Sequence, residues 1–155
     1  MKTGFLEEAI RLSREKMEAG EGGPFGAVIV RNGRVVGRGW NRVTSTFDPT
    51  AHAEVVAIRD ACSRLATFSL AGCEIYASCE PCPMCLAAIH WARLEAIHFA
   101  ADREDAAAAG FDDKAFYAEL AKPGSERRIP ADQAMQQEAR AVLAAWSAKP
   151  DRVRY

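Results

Sequence analysis

Apolar positions recur at helical spacing at the start of the chain. Phe5, Ala9, Leu12 and Met17 fall near one face, with Glu7, Arg11, Arg14 and Glu15 elsewhere. This predicts a helix over about 4–19, stopped by Gly20, Gly22, Gly23 and Pro24. The pattern then shortens. Ala27-Val28-Ile29-Val30 reads as a strand and 35–40 as its return strand. Asn32-Gly33 between them predicts a type I′ turn, because both residues tolerate positive φ. Residues 42–50 read as a loop ended by Asp48-Pro49-Thr50. Thr50 is the expected cap of a helix over about 51–66, with Val55, Ile58, Cys62 and Leu65 as its core face. A strand at 73–78, a helix from Pro83 to about 92 with Cys82 as cap, and a strand at 96–100 follow. Residues 112–121 and 131–147 read as helices parted by Lys122-Pro123-Gly124.

The order αββαβαβ plus two helices predicts a three-layer α/β/α fold with a mixed central sheet. A single domain is expected over 1–147, with 148–155 as a polar tail. Lys149, Arg152 and Arg154 with Asp151 read as a solvated end. The 20 basic and 21 acidic residues leave a net charge of −1, which argues against a nucleic-acid binder. No apolar run approaches the roughly 20 residues that span a bilayer. The early acidic start lacks the apolar core of a signal peptide, so a cytoplasmic protein without a membrane partner is expected.

The five cysteines are an odd number, which speaks against a disulfide scaffold. Cys62 and Cys73 read as buried, inert thiols. Cys79, Cys82 and Cys85 cluster in Ser78-Cys79-Glu80-Pro81-Cys82-Pro83-Met84-Cys85. Cys82 and Cys85, at i and i+3, present both sulfurs on one side of a first helical turn. His52-Ala53-Glu54 opens the preceding helix. Zinc takes tetrahedral sulfur and nitrogen ligands, and a catalytic zinc keeps three protein ligands and a water. His52, Cys82 and Cys85 fit that set, with one Zn²⁺ per subunit. Glu54 stands where a proton shuttle for the water is needed. Cys79 is an alternative fourth ligand of a structural site. His90 and His98 have no partner pattern. The combination H-x-E followed by P-C-x-x-C is the signature of zinc deaminases.

The chain resembles the cytidine-deaminase-like superfamily, and within it is similar from end to end to small bacterial guanine deaminases. The resemblance rests on Gly22-Gly23-Pro24-Phe25-Gly26-Ala27-Val28, Asn41, Asp48 to Glu54, Ser78 to Cys85, Trp91-Ala92, Ala108 to Asp113, and Tyr155. It implies zinc on His52, Cys82 and Cys85, and Glu54 as the catalytic shuttle. It implies that Asn41 and the backbone at Ala53 hold the purine base, that Phe25 and Trp91 line its pocket, and that Asp113 contacts the base. It also implies a homodimer in which the C-terminal segment crosses to the partner subunit and Tyr155 closes the neighbouring site. The expected activity is hydrolysis of guanine to xanthine and ammonia. Competing readings are a deaminase of isocytosine, cytosine, guanosine or a triazine, a tRNA adenosine deaminase, and a non-enzymatic zinc interaction module.

Overall fold

The computed structural model describes residues 2–155. Helix α1 (Thr3–Glu18) leads into the hairpin β1 (Gly26–Arg31) and β2 (Arg34–Trp40). A short helix α2 (Val43–Thr46) precedes α3 (Ala53–Leu65), β3 (Cys73–Cys79), α4 (Pro83–Trp91) and β4 (Ala96–Ala101). Helices α5 (Arg103–Ala108), α6 (Asp113–Ala121) and α7 (Gln136–Ala148) complete the order, with one 3-10 turn at Gly124–Glu126. The strands lie in the order β2-β1-β3-β4. The β1 strand pairs antiparallel with β2 and β3, and β3 pairs parallel with β4. The expected mixed sheet is present. Asn32 and Gly33 hold φ of 52° and 72°, as a type I′ turn requires.

Alternation along the strands divides the core in two. Val28, Val30 and Tyr76 pack with Leu12 of α1 on one face. Ala27, Ile29, Cys73, Ile75 and Ala77 pack against α3 and α4 on the other. This is the three-layer arrangement. The Met17 side chain, expected on the core face of α1, is exposed, whereas Phe5 packs on the core as expected and Leu6 joins it there.

The buried seam of α3 differs from the periodicity of its large residues. Ala53, Ala57 and Ala61 are fully buried, and Ile58, Cys62 and Leu65 flank them half-buried. The cause lies on β2. A Cβ on Gly39 would stand 2.1 Å from the Ala53 carbonyl oxygen, and one on Gly37 would stand 2.6 Å from the Ala61 Cβ. Small residues on both elements bring backbone against backbone, so large side chains are displaced to the rim.

Other boundaries also shift. Residues 43–46, expected as loop, form α2. Helix α3 starts at Ala53 rather than 51, because the Thr50 amide and hydroxyl both donate to Asp48 Oδ1, at 2.8 and 2.7 Å. That local turn occupies Thr50 and leaves His52 at the N-cap. Helix α5 is an addition to the expected order. Helix α7 begins at Gln136, five residues late, after Met135 at a left-handed φ of 54°.

The chain divides into two compact units, 1–116 and 117–155. The first holds the sheet and both core clusters. No residue of 117–155 is buried. Among the described residues, no helix is long and apolar enough to cross a membrane.

Candidate metal centre and active site

Helices α3 and α4 begin at the same end of the sheet chemistry, each with an extended N-cap residue. His52 has φ −69° and ψ 155°, and Cys82 has φ −65° and ψ 168°. Neither side chain caps its own helix. Pro83 at the first helical position of α4 needs no amide partner. The two side chains therefore turn toward each other. His52 Nδ1 stands 3.5 Å from Cys82 Sγ and 3.5 Å from Cys85 Sγ. All three ligand atoms lie within 4.8 Å of one another, and they are the one such group of three among the described residues. Tetrahedral zinc at its usual bond lengths separates a nitrogen and a sulfur ligand by roughly 3.5 Å. The residues present fit the ion.

Electrostatics agree with that fit. The hydrogen bond from Cys85, aided by His52, holds the Cys82 thiol down to about 4. The same bond, together with burial, pushes Cys85 up. The hydrogen bond to Cys82 raises His52 against the opposing effect of burial. Cys79 stays outside the group. Its thiol donates to the Asp102 carbonyl at 3.5 Å, and burial pushes it up to about 11. All five cysteines are free thiols; Cys73 is buried, and Cys62 only half-buried.

Beside the cluster is a cavity of about 270 Å³. Glu54, the second residue of α3, reaches it from a site where the residue is only 8% exposed. Burial lifts its carboxyl to about 7, poised to exchange protons near neutrality. Asp113 also lines it, and burial and then the nearby Cys82 charge raise its carboxyl. Phe25 and Phe111 meet edge-on, with ring centroids 4.7 Å apart, and form an apolar wall. Asn41, also in the lining, has its orientation fixed. Its Oδ1 accepts from the backbone N–H of Gly23 and of Val43, both at 3.2 Å. Both bonds engage Oδ1 within the chain, so the NH₂ is the part of the Asn41 side chain that remains to donate. Gly22 permits this close approach, since a Cβ there would stand 2.0 Å from the Asn41 carbonyl oxygen.

The structure thus gathers His52, Glu54, Cys82, Phe25, Asn41 and Asp113 around one cavity. Trp91 is not in its lining and is 63% exposed at the end of α4. Ala53 is buried against β2, and its N–H is the first amide of α3. Tyr155 belongs to the second unit and is exposed. His98 stacks on Tyr76 with centroids 4.4 Å apart, a structural role. Val43, Thr44, Phe111 and Glu80 line the cavity without having been singled out. Val43 and Thr44 carry no signal while their segment reads as loop. Phe111 was signalled only by its place beside Asp112-Asp113.

Residues 2–101 match the family described as the cytidine and deoxycytidylate deaminase zinc-binding region. The chain belongs to this family. Within it, the chain is 53% identical to a guanine deaminase of Bacillus subtilis (strain 168) over 142 residues, covering 92% of this chain and 91% of that protein. A crystal structure of guanine deaminase from Bacillus subtilis superposes with a TM-score of 0.96 at 49% identity, covering 100% of this chain and 99% of the other. A tRNA-specific adenosine deaminase of Aquifex aeolicus (strain VF5) is 45% identical over 100 residues, covering 64% of this chain and 66% of its own length. As a member of this deaminase family, the chain carries a zinc-binding region, and His52, Cys82 and Cys85 form the group of described residues there that could hold the ion.

Proposed function

We infer that this chain hydrolyses guanine to xanthine and ammonia. The observation that carries the reading is likeness to a guanine deaminase along nearly the whole of both chains, whereas the tRNA-specific relative covers 64% of this one. A net charge of −1 supports a small neutral base over RNA.

Zinc held by His52, Cys82 and Cys85 would supply a Lewis acid that makes water nucleophilic near neutral pH. Glu54 takes a proton from the attacking water as its oxygen bonds to C2 of the ring, and delivers that proton to a ring nitrogen. A further proton from the added water passes through Glu54 to the amino group, which leaves as ammonia when the C2–N bond breaks. The ring is left as xanthine. Asp113 accepts from the N–H groups of the guanine edge, which adenine presents differently. The Asn41 NH₂ donates to a ring acceptor, and the Phe25–Phe111 wall excludes water around the flat base. An ammonia-release panel over guanine, guanosine, adenine, cytosine, isocytosine and tRNA tests this. Guanine turning over fastest is the expected result; preference for tRNA or for another ring would overturn it.

The C-terminal tail, 148–155, crosses to a partner in a homodimer. Val142, Leu143 and Trp146 on α7 are exposed, an apolar stripe that a solvated helix has no reason to carry. Tyr155 then closes the partner's cavity. Deleting Arg154-Tyr155 is expected to cut guanine turnover sharply, and unchanged kinetics would sink the lid.

A further inference from the structure

Glu80 lines the cavity and has no part in the chemistry above. It follows the last residue of β3 and precedes Pro81-Cys82. Its oxygens are occupied by Arg103. Arg103 Nη2 donates to Oε1 in a short contact, Nε donates to both oxygens at 3.2 and 3.1 Å, and the Arg103 backbone N–H donates to Oε2 at 3.1 Å. Such a fork fixes orientation as well as distance. Neighbouring bonds reinforce it. The Glu80 N–H donates to the Ala101 carbonyl at 2.9 Å, and the Cys79 thiol to Asp102. The metal end of β3 is thus tied to the exit of β4.

Arg103 is the first residue of α5, a helix of 6 residues and so about 9 Å long. Asp102 closes its start with a reciprocal cap to Asp105. At its far end the Phe111 N–H donates back to the Ala106 carbonyl at 3.1 Å. Gly110, at φ +93°, turns the chain there, a conformation L side chains rarely adopt. Immediately beyond stand Phe111 and Asp113, both in the cavity lining. Helix α5 is a short stiff arm, held at one end by Glu80 and carrying two cavity residues at the other.

We propose that Glu80 and Arg103 form a positioning pair that acts through α5 to place Phe111 and Asp113 for recognition of the substrate ring. The proposal rests on the reading of this cavity as a guanine site. The pair holds the recognition segment against the rim of the metal centre while taking no proton itself. Its loss affects ring binding more than turnover of bound ring, and conservative replacement restores only part, because an ammonium cannot reproduce the guanidinium fork.

The test uses zinc-loaded wild type, Arg103→Ala, Arg103→Lys and Glu80→Gln. Expected for Arg103→Ala is a rise of about tenfold in KM for guanine with kcat changed by less than about threefold, as loss of binding common to ground and transition states requires. Arg103→Lys should fall between Arg103→Ala and wild type. In substrate-free protein, hydrogen exchange at residues 104–113 should accelerate while β1 and β3 keep wild-type rates. A wild-type KM with wild-type exchange at 104–113, or an acceleration spread evenly over the sheet, would overturn the proposal. If Arg103→Ala fails to fold, Arg103→Lys and Glu80→Gln carry the same readouts. If wild type does not turn over guanine, the substrate reading fails by itself, and the exchange pattern decides the positioning role.

Discussion

The starts of α3, α4 and α5 are built in two ways. Helices α3 and α4 place His52 and Cys82 at their N-caps and make no side-chain cap. Helix α5 places Asp102 there, which accepts from the Glu104 and Asp105 amides at 2.9 and 3.0 Å and is answered by Asp105. An N-cap that accepts such a bond stabilises a helix by about 1 kcal/mol over one that does not. The two helices that carry ligands forgo this contribution. Their cap residues make no bond to their own amides, and His52 and Cys82 stand 3.5 Å apart instead. In exchange, Cys82 sits at the positive end of α4, a place that favours a thiolate. Helix α5 holds no ligand, and its start is built for rigidity. Metal-binding helix starts are therefore incomplete without the ion, while the start that positions substrate contacts is complete within the chain.

The largest effect expected from this difference follows metal loss. Cys85→Ser, or treatment of wild type with a strong chelator, is expected to abolish measurable deamination and bring zinc content close to zero. Metal analysis beside turnover checks it. Activity surviving with the metal gone would remove the basis for the uncapped starts.

Next in size is Glu54→Gln, which should keep zinc at wild-type stoichiometry while turnover falls by about 10²–10⁴-fold, the usual weight of a positioned acid–base group. Near-normal turnover would show that the cavity carboxylate is not the shuttle.

The metal-free protein should reveal the cost of the buried carboxyl through pH. Glu54 has its carboxyl lifted from 4.5 to about 7 by burial, so the folded state holds that proton more tightly than the unfolded chain. Its contribution is fully present below about 4.5 and is lost as pH rises through about 7. Urea midpoints of metal-free wild type should fall over this window relative to metal-free Glu54→Gln. Parallel curves for the two proteins would contradict the assignment.

The smallest effect sharpens the contrast from the other side. Asp102→Ala should lower unfolding free energy by about 1 kcal/mol with zinc content unchanged. An unchanged denaturation midpoint would mean that α5 gains no more from its cap than α3 and α4 do, and the two kinds of helix start would be equivalent.

Much of the metal centre is legible in the sequence because its signals are local. H-x-E and C-x-x-C fix which side chains share a helical turn, and Pro83 marks where α4 starts. The hairpin is equally local, since Asn32-Gly33 selects its own turn. The cavity wall is less legible. The orientation of Asn41 is not legible, because one of the two amides that occupy Oδ1, that of Gly23, lies 18 residues away, and the other opens the unexpected α2. Helix α5, capped by Asp102 with Asp105, lies outside the expected order. The α3 core face is legible only in part, because Ile58, Cys62 and Leu65 pack at its rim and large apolar residues dominate the periodicity. Its buried seam is alanine, chosen by glycines of β2 that a single helix does not reveal.

By itself, then, the sequence determined the H-x-E pairing of His52 with Glu54, the C-x-x-C pairing of Cys82 with Cys85, and the turn of the hairpin. Each follows from residue types within a few positions of one another. Tertiary structure decided that two helix starts converge within 3.5 Å contacts, which way the Asn41 amide faces, how closely α3 lies on the sheet, and that Glu80 meets Arg103. Those depend on groups 18 to 33 residues apart, or on the fit of two surfaces. Spacing along a chain names the residues that can act together, but only packing sets the distances and directions on which their chemistry depends.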